Sequence, residues 1–88
     1  MSKEGKAASR PAVIEVTWVD TTSWHTWLEE SEYRGLEPSV CISVGYLLKN
    51  DKKVVRMAMS HGTEDTYGMI KVIPQGCIRK VRTLRKGR

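Results

Sequence analysis

Phenylalanine is absent from this chain of 88 residues, and its aromatic side chains are three tryptophans and three tyrosines. A domain of this size still has to bury large apolar side chains, so tryptophan must supply part of its core volume. Trp18 alternates with Ile14 and Val16, and we expect it in the core. Trp24 and Trp27 lie next to a turn, where exposure is expected.

Long apolar runs are also absent. No segment approaches the roughly 20 apolar residues that span a bilayer, and the first ten residues are polar and charged, unlike a secretory signal. A reducing, cytoplasmic location is the resulting expectation. Cys41 and Cys77 are then predicted to be free thiols within the fold.

Motifs that carry catalysis or hold cofactors are missing as well. Cysteines and histidines are separated from one another by sixteen or more residues, whereas structural zinc sites draw their ligands from close pairs. No glycine-rich phosphate loop is present. The polar residues of segment 60–66 lie on one loop without an orienting scaffold. The sequence therefore predicts no catalytic residues, no metal and no cofactor.

Acidic residues are missing from the end of the chain. The last ten residues carry a charge of +6 and residues 1–10 carry +2, so segment 11–78 is −3 within a total of +5. We call the six cations of the last stretch the basic ridge. They are Arg79, Lys80, Arg82, Arg85, Lys86 and Arg88. Such a cluster attracts phosphate, which predicts contact with nucleic acid or another polyanion.

Alternating apolar residues predict five strands. Their predicted ranges are 13–20, 40–48, 54–60, 68–73 and 77–84, with a short helical segment over 28–34 and a possible short strand over 24–27. The second strand is apolar on both faces, which favours a central position. In the last strand, a bulge between Ile78 and Val81 would let both side chains reach the core.

These elements predict a mainly β fold, a small five-stranded barrel or half-barrel with one short helix. The segment Ile73-Pro74 followed by a tight turn resembles the 3₁₀ link before the last strand of SH3-like and Sm-like barrels. An α+β fold, with an antiparallel sheet packed on one helix, is the alternative. Residues 1–11 are predicted to be a disordered basic arm, 12–84 the single domain and 85–88 a free basic tip.

An acidic cluster follows the two turn-flanking tryptophans. Glu29, Glu30 and Glu32 would form the solvated face of the helical segment, or an acidic patch that meets a partner protein. Together with Trp24 and Trp27 they define an alternative, protein-binding surface.

Three segments resemble a known group of proteins. They are Val16-Thr-Trp-Val-Asp-Thr21, Cys41-Ile-Ser-Val-Gly-Tyr-Leu47 and Ile73-Pro74. They resemble small uncharacterised proteins of tailed bacteriophages and prophages, to which we can attach no activity. The resemblance implies a phage accessory protein in the cytoplasm of a bacterial host.

The function expected from the sequence is therefore a non-enzymatic binding module that uses the basic ridge. Two alternatives remain open. One is an adaptor or inhibitor that binds a host protein, for instance to blunt a defence system. The other is a protein that sequesters nucleotides, with segment 61–68 as the lip of a pocket.

Overall fold

The computed structural model describes residues 10–88. Five antiparallel strands form one sheet, in the order β4-β3-β2-β1-β5. The strands are β1 (Val13–Asp20), β2 (Ser39–Asn50), β3 (Val54–His61), β4 (Tyr67–Pro74) and β5 (Ile78–Arg85). A single α-helix, α1 (Glu30–Tyr33), and two 3₁₀ turns, Thr63–Asp65 and Gln75–Cys77, complete the described part of the chain.

The predicted mainly β class is confirmed. The sheet is open, with β4 and β5 at its edges, which is the half-barrel form of the prediction. The one-turn 3₁₀ link before the last strand is present at Gln75–Cys77. Helix α1 buries no residue, so the sheet does not pack on a helix and the α+β alternative does not apply.

The core lies on one face of the sheet. Five fully buried side chains form it, Ile14 and Val16 from β1, Val55 and Met57 from β3, and Ile73 from β4. Trp18 packs against this cluster as predicted, and its indole Nε1 donates to the Ser43 hydroxyl at 2.9 Å. This half-buried indole thus has a hydrogen-bond partner for its polar atom.

A bulge places the last strand as the sequence predicted. Ile78 lies opposite Trp18 and Val81 lies opposite Val16, with a register shift between the two pairs. Both side chains therefore turn toward the core face of β1. A second shift, between the pairs Val13–Arg85 and Ile14–Thr83, leaves Leu84 out of register and 45% exposed.

The turn between β2 and β3 is tied to the 3₁₀ link. The Gln75 amide donates to the Asn50 side chain at 2.7 Å and to the Asp51 carbonyl at 2.8 Å. Asp51 Oδ1 accepts from the amides of Lys53 and Val54 at 2.8 and 2.9 Å. These side-chain bonds replace the backbone pairs that a tight turn cannot make.

The sheet divides within β2. Residues Ser39–Tyr46 pair with β1, whereas only the second part of the strand, from Tyr46 to Asn50, pairs with β3. Gly45 marks the division, because a Cβ there would lie 2.5 Å from the Ala58 carbonyl oxygen. β2 is central, as predicted, but its apolar outer face is not covered. Val40, Ile42 and Val44 are 69%, 65% and 47% exposed.

Residues 21–38 connect β1 to β2 and stand away from the core. The possible strand over 24–27 is not formed, and α1 occupies part of the predicted helical segment. The Thr22 hydroxyl donates to the Glu37 carbonyl at 2.6 Å and closes the base of this connection. No helix among the described residues is both long and apolar enough to cross a membrane.

Candidate nucleic-acid interface

Strand β5 carries four of the six ridge cations and forms an edge of the sheet. Every residue from Arg79 to Arg88 is exposed. β5 pairs with β1 on one side, and among residues 10–88 no strand pairs with its other edge. Four of the six predicted ridge residues therefore lie on an exposed strand that a large ligand can approach.

The register of β5 on β1 aligns three of these cations. Lys80 lies opposite Thr17, Arg82 opposite Glu15 and Arg85 opposite Val13. The three β1 partners alternate with the buried Ile14 and Val16, so they belong to the face opposite the core, which we call the outer face. Without the bulge at Leu84, Arg85 would face the opposite side of the sheet. The bulge thus keeps the third cation in line with the other two.

The tip of the ridge is docked and does not extend freely from the domain. The Arg10 amide donates to the Arg88 carbonyl at 3.0 Å, and the Arg88 amide donates to the Arg10 carbonyl at 2.7 Å. Gly87 lies so close that a Cβ there would be 2.8 Å from the Arg10 carbonyl oxygen. This contact brings Arg10 beside the ridge as a further cation. The remainder of the predicted arm, residues 1–9, lies outside the described residues.

One ridge cation is partly neutralised. The Arg82 guanidinium lies 3.3 Å from the Glu15 carboxylate, and both side chains remain partly exposed. Arg85 donates to the Pro11 carbonyl at 3.3 Å. Both contacts orient the guanidinium groups along β1, while a surface ion pair of this kind adds little to stability.

The alternative protein-binding residues lie in the connection between the Asp20 end of β1 and the start of β2. Trp24 is 59% exposed and Trp27 is fully exposed. Glu29 and Glu32 are used locally, since they form the capping box of α1. Glu30 pairs with Arg34. Local contacts therefore account for the acidic cluster, whereas both tryptophans present large apolar surfaces to solvent within the described part of the chain.

The residues considered for other chemistry lie apart or serve structure. His61 stacks on Tyr67, with ring centroids 4.7 Å apart, and meets Tyr46 edge-on at 5.5 Å. These ring contacts stabilise the end of the β3–β4 hairpin, so His61 and Tyr67 of segment 61–68 have a structural role. Cys41 and Cys77 are free and half-buried. Across residues 10–88, no group of three or more His, Cys, Asp or Glu side chains could hold a metal ion.

Sequence reasoning missed a groove between β2 and β4. Its walls come from Ile42 and Val44 on one side and from Met69 and Ile70 on the other, and its volume is about 500 Å³. The alternating apolar residues of β2 were the available signal, but the same alternation is typical of a covered face. An open groove and a covered face can therefore be told apart only from the strand pairing, which shows that β3 pairs with the second part of β2 alone.

Comparison of the chain with protein-family models, with curated proteins and with solved structures yields no significant match.

Proposed function

We propose that this protein is a non-enzymatic binding module whose basic ridge contacts nucleic acid or a similar polyanion. The observation that carries the proposal is the alignment of Lys80, Arg82 and Arg85 on one face of an edge strand. Alternate residues of a strand are about 7 Å apart, so the three cations form a short row along its surface. Binding would be mainly electrostatic and weakly sequence-specific.

Edge protection alone does not require this arrangement. Charged side chains do prevent edge-to-edge aggregation of sheets, and β5 is an edge strand. The ridge, however, continues past the strand to Lys86 and Arg88, and the docked backbone brings Arg10 to its end. Six cations without an intervening acid exceed what a protected edge needs.

The salt dependence of binding tests the proposal. We expect a labelled random single-stranded oligonucleotide to bind at about 50 mM salt and to dissociate steeply as salt rises. Lys80→Gln with Lys86→Gln should reduce the slope of log K against log salt by about 1.4, since each phosphate contact to a single strand contributes about 0.7. Absence of binding at about 50 mM salt contradicts the proposal.

A matched control removes the same charge elsewhere. Lys52 and Lys53 are exposed in the turn between β2 and β3. Lys52→Gln with Lys53→Gln lowers the net charge by the same amount but leaves the ridge intact. An equal loss of slope in both double variants would show that binding follows net charge and not the ridge.

A second candidate function rests on the exposed tryptophans. Trp27 is fully exposed and Trp24 is largely exposed, and tryptophan is a frequent anchor residue of protein interfaces. Both lie in the connection 21–38, whose two ends are joined by the hydrogen bond between Thr22 and Glu37. In this second proposal the protein is an adaptor or inhibitor that binds a host protein. Its test is capture of partners from lysate with and without nuclease, using the wild type and Trp24→Ser with Trp27→Ser. Loss of a nuclease-resistant partner in the tryptophan variant supports protein binding.

The setting we propose is the cytoplasm of a bacterium that carries a tailed phage. It is supported by the resemblance of the segments Val16–Thr21 and Cys41–Leu47 to phage proteins. Both candidate functions fit an accessory factor made in that compartment.

A further inference from the structure

An unpaired backbone edge lies inside the sheet, apart from its two outer edges. The first part of β2 pairs with β1, but the β2–β3 ladder begins only at Tyr46 and Ala58. Beyond that point β3 departs with β4, and Ser60 pairs with Gly68. The side of β2 that faces away from β1 therefore has no strand partner from Ser39 to Gly45 among the described residues.

One hydrogen bond shows which backbone amides and carbonyls of β2 point away from β1. The Leu47 amide donates to the Ala12 carbonyl at 2.8 Å, which extends the β1–β2 register. Odd-numbered residues of β2 therefore direct their backbone groups toward β1, and even-numbered residues direct theirs to the other side. The amides and carbonyls of Val40, Ile42 and Val44 consequently face the groove between β2 and β4.

The opposite wall of the groove is apolar and conformationally strained. Met69 and Ile70 are 74% and 50% exposed. Met69 has a φ of 56°, in the left-handed region that a residue with a side chain seldom occupies. It interrupts the β3–β4 ladder, which has no pair at this position. Such strain is concentrated at binding sites and persists only where the surroundings hold it.

The groove also contains one cation. Lys71 lines it, is half-buried, and holds its ammonium 4.9 Å from the centre of the Trp18 ring. Within residues 10–88 no carboxylate forms an ion pair with this ammonium. A partly buried ammonium beside apolar walls favours a ligand that brings a carboxylate.

We propose that this groove binds an extended acidic peptide of a partner protein as an added β-strand. The peptide runs antiparallel to β2 in the place that β3 leaves vacant and pairs with the backbone of Val40, Ile42 and Val44. Its outward apolar side chains cover those of β2, and one inward carboxylate reaches Lys71. The open edge supplies affinity through main-chain hydrogen bonds, and Lys71 supplies selectivity.

The probe is a blocked eight-residue peptide in which valine and threonine alternate, with a central aspartate on the threonine face. Amide hydrogen exchange and chemical shifts of the full chain are followed during titration. We expect the amides of Val40, Ile42 and Val44 to be protected at least about tenfold by the peptide. A peptide with lysine in place of aspartate should bind about tenfold more weakly, since it loses a charge-assisted pair.

Two variants separate backbone pairing from ordinary apolar contact. Ile42→Pro removes a groove-facing amide, yet leaves the β1 ladder intact because residue 42 directs its backbone groups away from β1. Ile42→Thr keeps both the amide and the branched side chain and should bind as the wild type does. Lys71→Gln should abolish the preference for aspartate over lysine. If Ile42→Pro fails to fold, a peptide methylated on its β2-facing amides provides the same test with the wild-type chain.

Several results would overturn the proposal. Unchanged exchange at the three amides, or equal binding of the methylated peptide, excludes strand addition. Protection that rises with protein concentration in the absence of peptide shows that a second copy of the chain occupies the edge. Strand β1 lies between the groove and the basic ridge, and the exchange of β2 amides reports on the groove, so failure here is distinguishable from failure of the oligonucleotide experiment.

Discussion

Gly45 of β2 lies against the backbone of Ala58 in β3, at the point where the sheet divides. A Cβ at residue 45 would lie 2.5 Å from the Ala58 carbonyl oxygen and 2.8 Å from the Met59 methyl group. The neighbour at the closer distance is backbone and cannot rotate away. Close approach of two strands, and not an unusual backbone angle, therefore explains this glycine.

Gly45→Ala should consequently destabilise the protein. We expect a loss of about 1–3 kcal/mol in the free energy of unfolding, the range for an overpacked interior site. Urea unfolding followed by tryptophan fluorescence measures it. Gly76→Ala is the matched control, because a Cβ at residue 76 has no atom within 4 Å. A control as unstable as Gly45→Ala would show that loss of glycine, and not the contact, matters.

Met69→Gly should have the opposite effect. Glycine adopts the left-handed conformation of residue 69 without steric cost. The Met69 side chain is 74% exposed, so little packing is lost. Relief of strain of about 1–2 kcal/mol should exceed the entropic cost of glycine, about 0.5–1 kcal/mol, and raise the melting temperature. Ile70→Gly, in a strand position without positive φ, should lower it.

The turn residue Asp51 predicts a pH dependence of stability. Hydrogen bonds from the Val54 and Lys53 amides hold the pKa of its carboxyl below the usual 3.8, with smaller help from Arg56 and Lys49. A carboxyl whose pKa is lower in the folded state stabilises the protein above its unfolded pKa, and this contribution is lost as pH falls through the folded value. Asp51→Asn keeps a neutral acceptor but has no charge to titrate.

We therefore expect the wild type to be more stable than Asp51→Asn at neutral pH. The difference should shrink as the pH falls below 3.8 and disappear once Asp51 is protonated in both states. Urea titrations of both proteins across this range measure it. A difference that stays constant down to low pH would show that the charge of Asp51 is not the stabilising feature.

The elements that sequence reasoning located are those with a local cause. Alternation at Ile14, Val16 and Trp18 identified β1 and its buried face, and the spacing of Ile78 and Val81 identified the bulge in β5. In each case the spacing of residues close together in sequence indicates which side chains share the buried face.

The features that the sequence did not disclose depend on contacts between distant segments. The docking of Gly87 on Arg10 joins the first and last described residues, whereas composition alone predicted a disordered arm and a free tip. The exposure of Val40, Ile42 and Val44 follows from the β1–β2 register, which places them on the face opposite the core, and the pattern of β2 alone does not show which face is covered. The charges of the proposed ridge could be predicted from the sequence. The alignment of Lys80, Arg82 and Arg85 could not, because it depends on the β1–β5 register.

That docking gives a test of ridge geometry at constant charge. A side chain at residue 87 would collide with the Arg10 and Ala12 backbone, so Gly87→Val should release the tip while it preserves net charge. If the ordered ridge binds the oligonucleotide, we expect a loss of affinity of about threefold to tenfold at about 100 mM salt. Gly35→Val is the control, since residue 35 has open space and lies near α1. Equal affinity of both variants would indicate that a flexible basic tail suffices.

Removal of the acid beside the ridge should strengthen binding. Glu15 lies 3.3 Å from Arg82 on the outer face of the sheet, between the positions opposite Lys80 and Arg85. Glu15→Gln frees the guanidinium and should steepen the salt slope by about 0.7, the contribution of one further phosphate contact to a single strand. Glu30→Gln removes an equal charge from α1, where Glu30 pairs with Arg34 away from the ridge, and should leave the slope unchanged. Fluorescence anisotropy titrations of the two variants with the oligonucleotide at three salt concentrations measure the slopes. An equal change of slope in both variants would show that binding depends on net charge and not on the ridge.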